Sequence, residues 1–452
     1  METKRSTIQD LLITKPFGQE VVVYGWIKSL RRQARVAFVH LYDGSTPSFL
    51  QLVMLPKIHE SIPHILEAGL KDAGLVVRGE VCAPKGGKSA EDGGQDVELF
   101  VKEVLFYGHR PEEEERPYPV AVDTVPPESL RTLPHMRPRT TLGQTMAFAR
   151  HKAMMETHTF FDGRGFKWIG TPIISGSDCE GAGEQFSLMD DPTKPFFGGD
   201  RAHLTVSGQV DLEPFIAAGS VYTFGPTFRA EHSKTKRHLS EFWMVEPEML
   251  GTMAEVMDLA EAYVKHLLTI PSKYPGHGLT PLHYDLETPF VRITYTEAVR
   301  LLQEETVDDP SFFLSWGDDL SSDMEMLLTS HFKSPVFVTH YPRALKAFYM
   351  RQTRTKEAPD RQTVEAFDLL MPGIGEIIGG SAREEDETRL IAAMVARGMD
   401  LKPYQAYLDM RHWGTLPHGG FGLGFERIVS VLTGDSHLRE ITPYVRAYGA
   451  SL

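Results

Sequence analysis

The stretch Val221–Leu250, VYTFGPTFRAEHSKTKRHLSEFWMVEPEML, restricts the fold more than any other part of the chain. It reads as two strands joined by a basic, polar loop. Side chains alternate faces along a strand. Arg229 and Glu231 therefore share a face on the first strand. Phe242, Met244, Glu246 and Glu248 share one on the second, with Trp243, Val245 and Met249 turned away. One face thus carries a guanidinium, an aromatic ring and three carboxylates, a set too costly to bury without a ligand to satisfy it. His232, Lys234, Lys236, Arg237 and His238 fill the loop, where cations can grip phosphate oxygens. A flat ring beside an arginine and a carboxylate suits a purine nucleotide. The alternative is an amphipathic hairpin whose outer face is salt-bridged.

The rest of the chain sets the context. Its 452 residues allow two to three domains. No run of apolar residues is long enough to span a bilayer, so no membrane partner is expected, and Met1–Asp10 lacks the apolar core of a signal peptide. Two cysteines, Cys82 and Cys179, fit a reducing, cytoplasmic compartment without disulfides. The net charge of −14 argues mildly against nucleic acid. Charge is local, however, and residues 1–57 hold eight Lys/Arg against four Asp/Glu.

Residues 1–110 look all-β, with five short Val-, Phe- and Leu-rich segments between Gly- and Asp-containing turns. Five strands in this length suit an OB-type barrel, which binds oligonucleotides on one face. Phe38 could stack on a base, Gln51 bond a base edge, and Arg31 and Arg32 reach phosphates; equally, Phe38 could be core, alternating with Val36 and His40. CAPKGGKS at Cys82–Ser89 misses the P-loop pattern because Cys82 stands where glycine is needed. Residues 111–135 carry six prolines and an acidic run, and read as a linker.

Residues 136–452 form the second domain. A helix is expected from Leu142 to Phe161, then FKWIGTPIIS as a strand, where Pro172 implies an edge. This pair suits a dimer surface, and a monomer with a covered edge suits it as well. A glycine-rich loop, Gly176–Phe186, holds Asp178, Glu180 and Glu184, and HLTVSGQVDL reads as a strand delivering Gln209. Residues 252–268 read as a helix; residues 270–340 carry no assigned chemistry; PVFVTHYP and KAFYMRQT resemble core strands. In EAFDLLMPGIGEIIGGSARE, Asp368 and Glu376 could bind a divalent cation bridging phosphates, and Arg383 follows a glycine pair. HGGFGLGFERIVSVLTG has four glycines at a strand end, then a helix from Phe425 that places Arg427 in its first turn. It is not GxGxxG, so a Rossmann reading fails.

Together FRAE…RHLSEFWMVEPE and GFGLGFER resemble the signature motifs of class II aminoacyl-tRNA synthetases; the class I signatures HIGH and KMSKS are absent. An OB-type domain before such a catalytic domain is similar to the aspartyl/asparaginyl/lysyl subgroup. GSDCEGAGEQF, LTVSGQ, PGIGEIIGGS and PHGGFGLGFER resemble the asparaginyl-tRNA synthetases within it, over nearly the whole chain. The resemblance implies an α+β protein, with an N-terminal OB-type barrel and a catalytic domain on an antiparallel sheet flanked by helices. It implies ATP and L-asparagine as substrates, Mg2+ as cofactor, tRNA(Asn) as partner, and a homodimer. It implies Arg229, Arg427 and Glu376 as catalytic, with Arg229 on the α-phosphate and Arg427 on the γ-phosphate. Glu231 and Phe242 would hold adenine, Arg237 and His238 phosphates, and Leu239 and Gly424 would line the ATP site. Glu376 with Asp368 would bind the metal. Glu180 and Gln209 would hold the α-amino group, while Glu246 and Arg383 would meet the side-chain amide. Arg31, Phe38 and Gln51 would read the anticodon.

Aspartyl enzymes of the subgroup are expected to carry a lysine where Leu212 stands and an aspartate where Glu246 stands. Removing a cation and offering a carboxylate penalises a second carboxylate and accepts from an amide NH2. The alternative is that Glu246 only pairs with Arg383. An aspartyl enzyme, a non-catalytic RNA-binding paralogue and an amide-forming enzyme on the same fold are competing readings. The paralogue should lose Arg229, Glu376 or Arg427, all present, and the amide-forming enzyme has no use for an OB domain. Departures from the family pattern are His232 for asparagine, Gln33 for an acidic residue, and the ending ITPYVRAYGASL.

Overall fold

The computed structural model describes residues 4–33, 35–55, 72–84, 96–108, 118–120, 125–179, 185–188, 196–197, 202–281, 285–306, 314–354 and 361–450. Glu180 and most of 111–124 lie outside these. The chain divides into two compact units, residues 1–148 with 274–278, and residues 149–273 with 279–452.

In the first unit, β1 (Glu20–Gln33), β2 (Val36–Tyr42), β3 (Leu50–Met54), β4 (Gly74–Cys82) and β5 (Glu98–Tyr107) close into a barrel in the order β1-β2-β3-β5-β4. Its interior is filled by alternate residues, among them Val21, Val23, Val39, Leu41, Leu52 and Val77. On β2 the alternation puts Ala37, Val39 and Leu41 inside and leaves Phe38 and His40 half-buried on the outer face. The core reading of Phe38 is therefore overturned.

The second unit is built on an eight-stranded sheet. Its strands are β6 (Lys167–Trp168), β9 (Val221–Phe228), β10 (Glu241–Leu250), β11 (Val291–Thr294), β12 (Val336–Thr339), β13 (Ala366–Met371), β14 (Gly375–Ala382) and β15 (His418–Gly424). Their order is β11-β12-β13-β14-β15-β10-β9-β6, antiparallel except at the two edge pairs β11/β12 and β6/β9. The segments β7 (Ile174–Ser175) and β8 (His203–Leu204) pair apart from it. The expected continuous strand from Phe166 to Ser175 is thus two two-residue pieces, with Pro172 between them. KAFYMRQT is not a strand; it runs from a turn at Ala347–Met350 into isolated bridges at Met350 and Gln352.

Helix Thr141–Asp162 buries Met146, Ala149, Ala153, Thr157 and Phe160, the expected apolar spacing. Helix Met253–Leu268 starts at a capping box between Thr252 and Glu255 and buries Val256, Met257, Ala260, Val264 and Leu267. It packs on β14 and β15, while helices Tyr295–Glu305 and Ser322–Phe332 pack against Val336, Val338 and Leu370 on the other face, which stays open over β10, β14 and β15.

Candidate active site

That open face is cleared by β15. Register pairs Met244 with Gly424 and Glu248 with Gly420, while Gly379 of β14 pairs with Gly422. Along β15, glycines at 420, 422 and 424 alternate with the buried Phe421 and Leu423, and the buried Phe425 opens the helix that follows. Apolar side chains therefore anchor the strand in the core, and bare backbone faces the cleft. A Cβ on Gly420 would meet Pro247 O at 2.2 Å, so this floor has no room for one there, and a Cβ on Gly422 would displace the Met244 methyl.

The hairpin β9/β10 supplies the walls. β9 stops at Phe228, so Arg229 lies one residue beyond the strand rather than within it, though its N–H still donates to Ser240 O at 3.0 Å. The Arg229 guanidinium sits over the Phe242 ring, 5.3 Å from its centroid, as a cation over a π face. Arg229, Glu231, Arg237, His238, Leu239, Phe242, Glu376, Gly424 and Arg427 line one cleft of about 130 Å³. All nine residues that the resemblance assigned to ATP are therefore brought together. Arg427 Nη1 donates to Glu376 O at 2.6 Å and Oε2 at 3.1 Å. Arg237 Nη2 donates to Glu325 Oε2 at 3.1 Å, and the same oxygen accepts from Glu376 N at 3.1 Å. His238 is driven below its usual range by burial and then by Arg427, Arg237 and Arg229, with Glu231 opposing. It is thus neutral among cations. The divergent C-terminus packs on the basic loop: Ser240 N donates to Arg446 O at 2.7 Å, and the Tyr448 ring lies 4.8 Å from that of His232.

A second cleft adjoins it, sharing Arg229 and Glu376 and adding Gln209, Glu246, Asp368 and Arg383. Gln209 does not sit on a strand. It opens a short helix, Gln209–Leu212. Glu246 is buried and accepts from the Ser207 hydroxyl and from Gly208 N at 2.9 Å. Burial pushes its carboxyl up, opposed by those bonds and by Arg229 and Arg383. Arg383 is 3% exposed and does not pair with Glu246; Nε and Nη2 go to Glu248, and Nη1 donates to Ser381 Oγ at 2.6 Å. The alternative that Glu246 serves only as the partner of Arg383 is thereby removed. Leu212, where a lysine would mark an aspartyl enzyme, is fully buried.

The carboxylates Glu376 and Asp368 flank Gly379, where a Cβ would lie 3.3 Å from Glu376 Oε1 and 3.5 Å from Asp368 Oδ1. Asp368 is pushed up by burial and by Glu376, against the opposing effect of Lys346, which bonds both its oxygens at 2.7 and 2.6 Å. Two like charges converging on bare backbone fit a hard cation. No group of three or more candidate metal ligands occurs among the described residues, so phosphate oxygens would have to complete the shell.

On the barrel, Arg31 lies over Phe38, 5.0 Å from the ring centroid, and His40 Nε2 is 3.2 Å from Gln51 Oε1. The three residues expected to read an anticodon therefore share one outer face of the first unit, with His40 among them.

The model of a family described as tRNA synthetases class II (D, K and N) matches residues 129–447. The chain belongs to this family. Two relatives named asparagine–tRNA ligase are similar over nearly their full length. One, from Treponema denticola, is 39% identical, covering 97% of this chain and 98% of its own. Another, from Microcystis aeruginosa, is 40% identical over the same shares. The crystal structure of asparaginyl-tRNA synthetase from Pyrococcus horikoshii, complexed with asparaginyl-adenylate, is similar with a TM-score of 0.84 and 30% identity over 99% of both chains.

In this class II synthetase several site residues escaped the sequence reading. Glu325 and Lys346 come from segments without a motif and meet the cleft only through tertiary structure. Glu213, Arg411 and His418 form a buried ionic cluster behind Gln209. Two of them had a signal: Glu213 stands four residues after Gln209, neighbours on a helix though not on a strand, and His418 opens the HGGFGLGFER stretch.

Proposed function

We infer that the chain is an asparagine–tRNA ligase, which activates L-asparagine with ATP and transfers it to the 3′ end of tRNA(Asn). An α-carboxylate oxygen of asparagine attacks the α-phosphorus, the bond to the β-phosphate bridge breaks, and pyrophosphate leaves. A ribose hydroxyl at the tRNA 3′ end then attacks the carbonyl carbon, and AMP leaves. No protein nucleophile is required. The chain's own work is positioning and charge stabilisation. Phe242 and Glu231 hold the base, Arg229 the α-phosphate, Arg427 the γ-phosphate, and Arg237 and His238 the remaining phosphates. Glu376, with Asp368 beside it, would hold Mg2+, which would neutralise phosphate charge. Glu180 and Gln209 take the α-amino group. The ligase is read as a cytoplasmic homodimer. Exposed Trp168, Ile173 and Ile174, on and after the edge strand β6, support a second copy there. Among the described residues, no helix is long and apolar enough to cross a membrane.

The observation that carries the choice of asparagine is Glu246. It is a buried carboxylate with room for a further donor, in the same cleft as an Arg383 that is held by Glu248 and keeps one Nη1 hydrogen for a carbonyl oxygen. An amide NH2 meets an acceptor there, and a second carboxylate meets repulsion, worth about 2–5 kcal/mol for a buried unpaired charge. Pyrophosphate exchange into ATP, run with asparagine or aspartate at equal concentration, is expected to depend on asparagine and stay nearly silent with aspartate. Strong exchange with aspartate would overturn the substrate. Silence with both would bring the non-catalytic paralogue forward.

A further inference from the structure

Behind the amino-acid subsite lies a cluster with no place in the mechanism above. Glu213 follows the short helix Gln209–Leu212 and is buried. Its Oε1 accepts from Gln209 Nε2 at 2.9 Å and from the Tyr407 hydroxyl at 2.9 Å. Its Oε2 accepts from Arg411 Nη2 at 2.8 Å and lies 3.1 Å from His418 Nε2. His418 Nδ1 in turn is 2.7 Å from Leu416 O. Both ring nitrogens thus face acceptors, which makes His418 a double donor and therefore a cation. Burial opposes that charge, but Glu213 outweighs it and holds His418 above its usual range. Burial likewise opposes the Glu213 charge, and Arg411, His418 and Arg383 outweigh it. Glu213 is a fixed anion, an acceptor only.

A side-chain amide presents a donor at one end and an acceptor at the other. Which end faces the ligand decides whether it can receive an ammonium group or a carboxylate. We propose that Glu213 is a positioning residue that fixes the Gln209 amide with its nitrogen inward, leaving its carbonyl oxygen, which the Cys179 thiol approaches at 3.9 Å, as the end presented to the amino-acid subsite, so that Gln209 can only accept from the substrate's α-ammonium. Three anchors hold Glu213 in place: Arg411, His418 and Tyr407. The proposal rests on the assignment of this cleft to an amino acid, and it adds to that reading the residue that sets its polarity. The cost of turning the amide is an NH2 group aimed at an ammonium and a carbonyl aimed at a carboxylate.

The test compares asparagine with succinamate, the same molecule without its α-amino group, in pyrophosphate exchange. Glu213→Gln allows either amide orientation. It is expected to raise the KM for asparagine about tenfold, the scale of one lost charge-assisted hydrogen bond, while the KM for ATP and the inhibition constant of succinamate stay within about twofold. In a Gln209→Leu background the same substitution is expected to change the KM for asparagine less than twofold. Glu213→Asp guards against a variant that fails to fold, because it keeps a carboxylate for Arg411 and His418 while withdrawing it from Gln209. The same selective rise is expected there. Equal weakening of asparagine and succinamate, an undiminished effect in the Gln209→Leu background, or a KM for asparagine unchanged in both Glu213 variants would overturn the role of Glu213. Absence of asparagine-dependent exchange in the unmodified protein would instead overturn the substrate reading itself.

Discussion

Arg229 lines both clefts, the position at which the α-phosphate and the amino-acid carboxylate must meet if the chemistry proposed above is right. Its guanidinium rests on the Phe242 ring, so its direction is set before any ligand arrives. Preorganised donors aimed at developing charge are worth about 10²–10³ in rate each. Arg229→Ala is accordingly expected to lower the rate of pyrophosphate exchange about a hundredfold while the thermal unfolding midpoint stays near that of the unmodified protein. Exchange at the normal rate in a folded variant would remove Arg229 from this role. Residues of this kind were legible in the sequence because they belong to contiguous motifs: a phosphate-binding arginine, a stacking ring and a base-binding carboxylate fall within fourteen residues of one hairpin. Glu325, Lys346 and Arg411 were not legible for the converse reason. Each reaches its partner across 22 to 198 positions, and no local pattern encodes such a pairing.

At the scale of the element, β15 shows what a period of two can do when one side of it is glycine. The sequence reading saw four glycines and a strand end; the structure shows three of them spaced to strip one face while Phe421 and Leu423 bury the other. The floor is close-fitting. A Cβ on Gly420 would come within 2.2 Å of Pro247 O and 2.4 Å of the Glu248 carboxylate, and the first of these is backbone in a paired strand. Gly420→Ala must therefore push β15 away from β10. We expect a destabilisation of about 3 kcal/mol, the upper part of the usual range for overpacking, read by urea denaturation, with loss of asparagine affinity because Glu248 holds Arg383. A variant as stable as the parent, with unchanged KM, would show that the strands have slack. The element that was misread, the segment around Gln209, illustrates the limit of periodicity. LTVSGQVDL carries β-branched residues at its start and looks extended, yet only His203–Leu204 pair, and Gly208 opens a helical turn. Four residues are too few for an amphipathic signal, and the cluster behind Gln209 depended on seeing that turn.

At the scale of the whole molecule, the two units divide the proposed reaction into separable halves. Every residue placed at the adenylate lies in the second unit, whereas Arg31, Phe38 and Gln51 lie on one face of the barrel in the first. Activation of asparagine needs no tRNA, and transfer does. A change on the barrel face should therefore leave the first step alone and weaken the second. Phe38 is half-buried on the outer face, with Arg31 over its ring. Base–aromatic stacking is worth about 1–3 kcal/mol per base. Phe38→Ala is expected to leave pyrophosphate exchange unchanged and to raise the KM for tRNA(Asn) in aminoacylation between about 5-fold and about 150-fold, the same interval expressed as a ratio. Parallel losses in both assays would mean that the substitution acts through the fold rather than through the anticodon. Unchanged charging would mean that the barrel binds tRNA through phosphates alone, in which case Arg31→Ala and Arg32→Ala should weaken it with a clear dependence on salt.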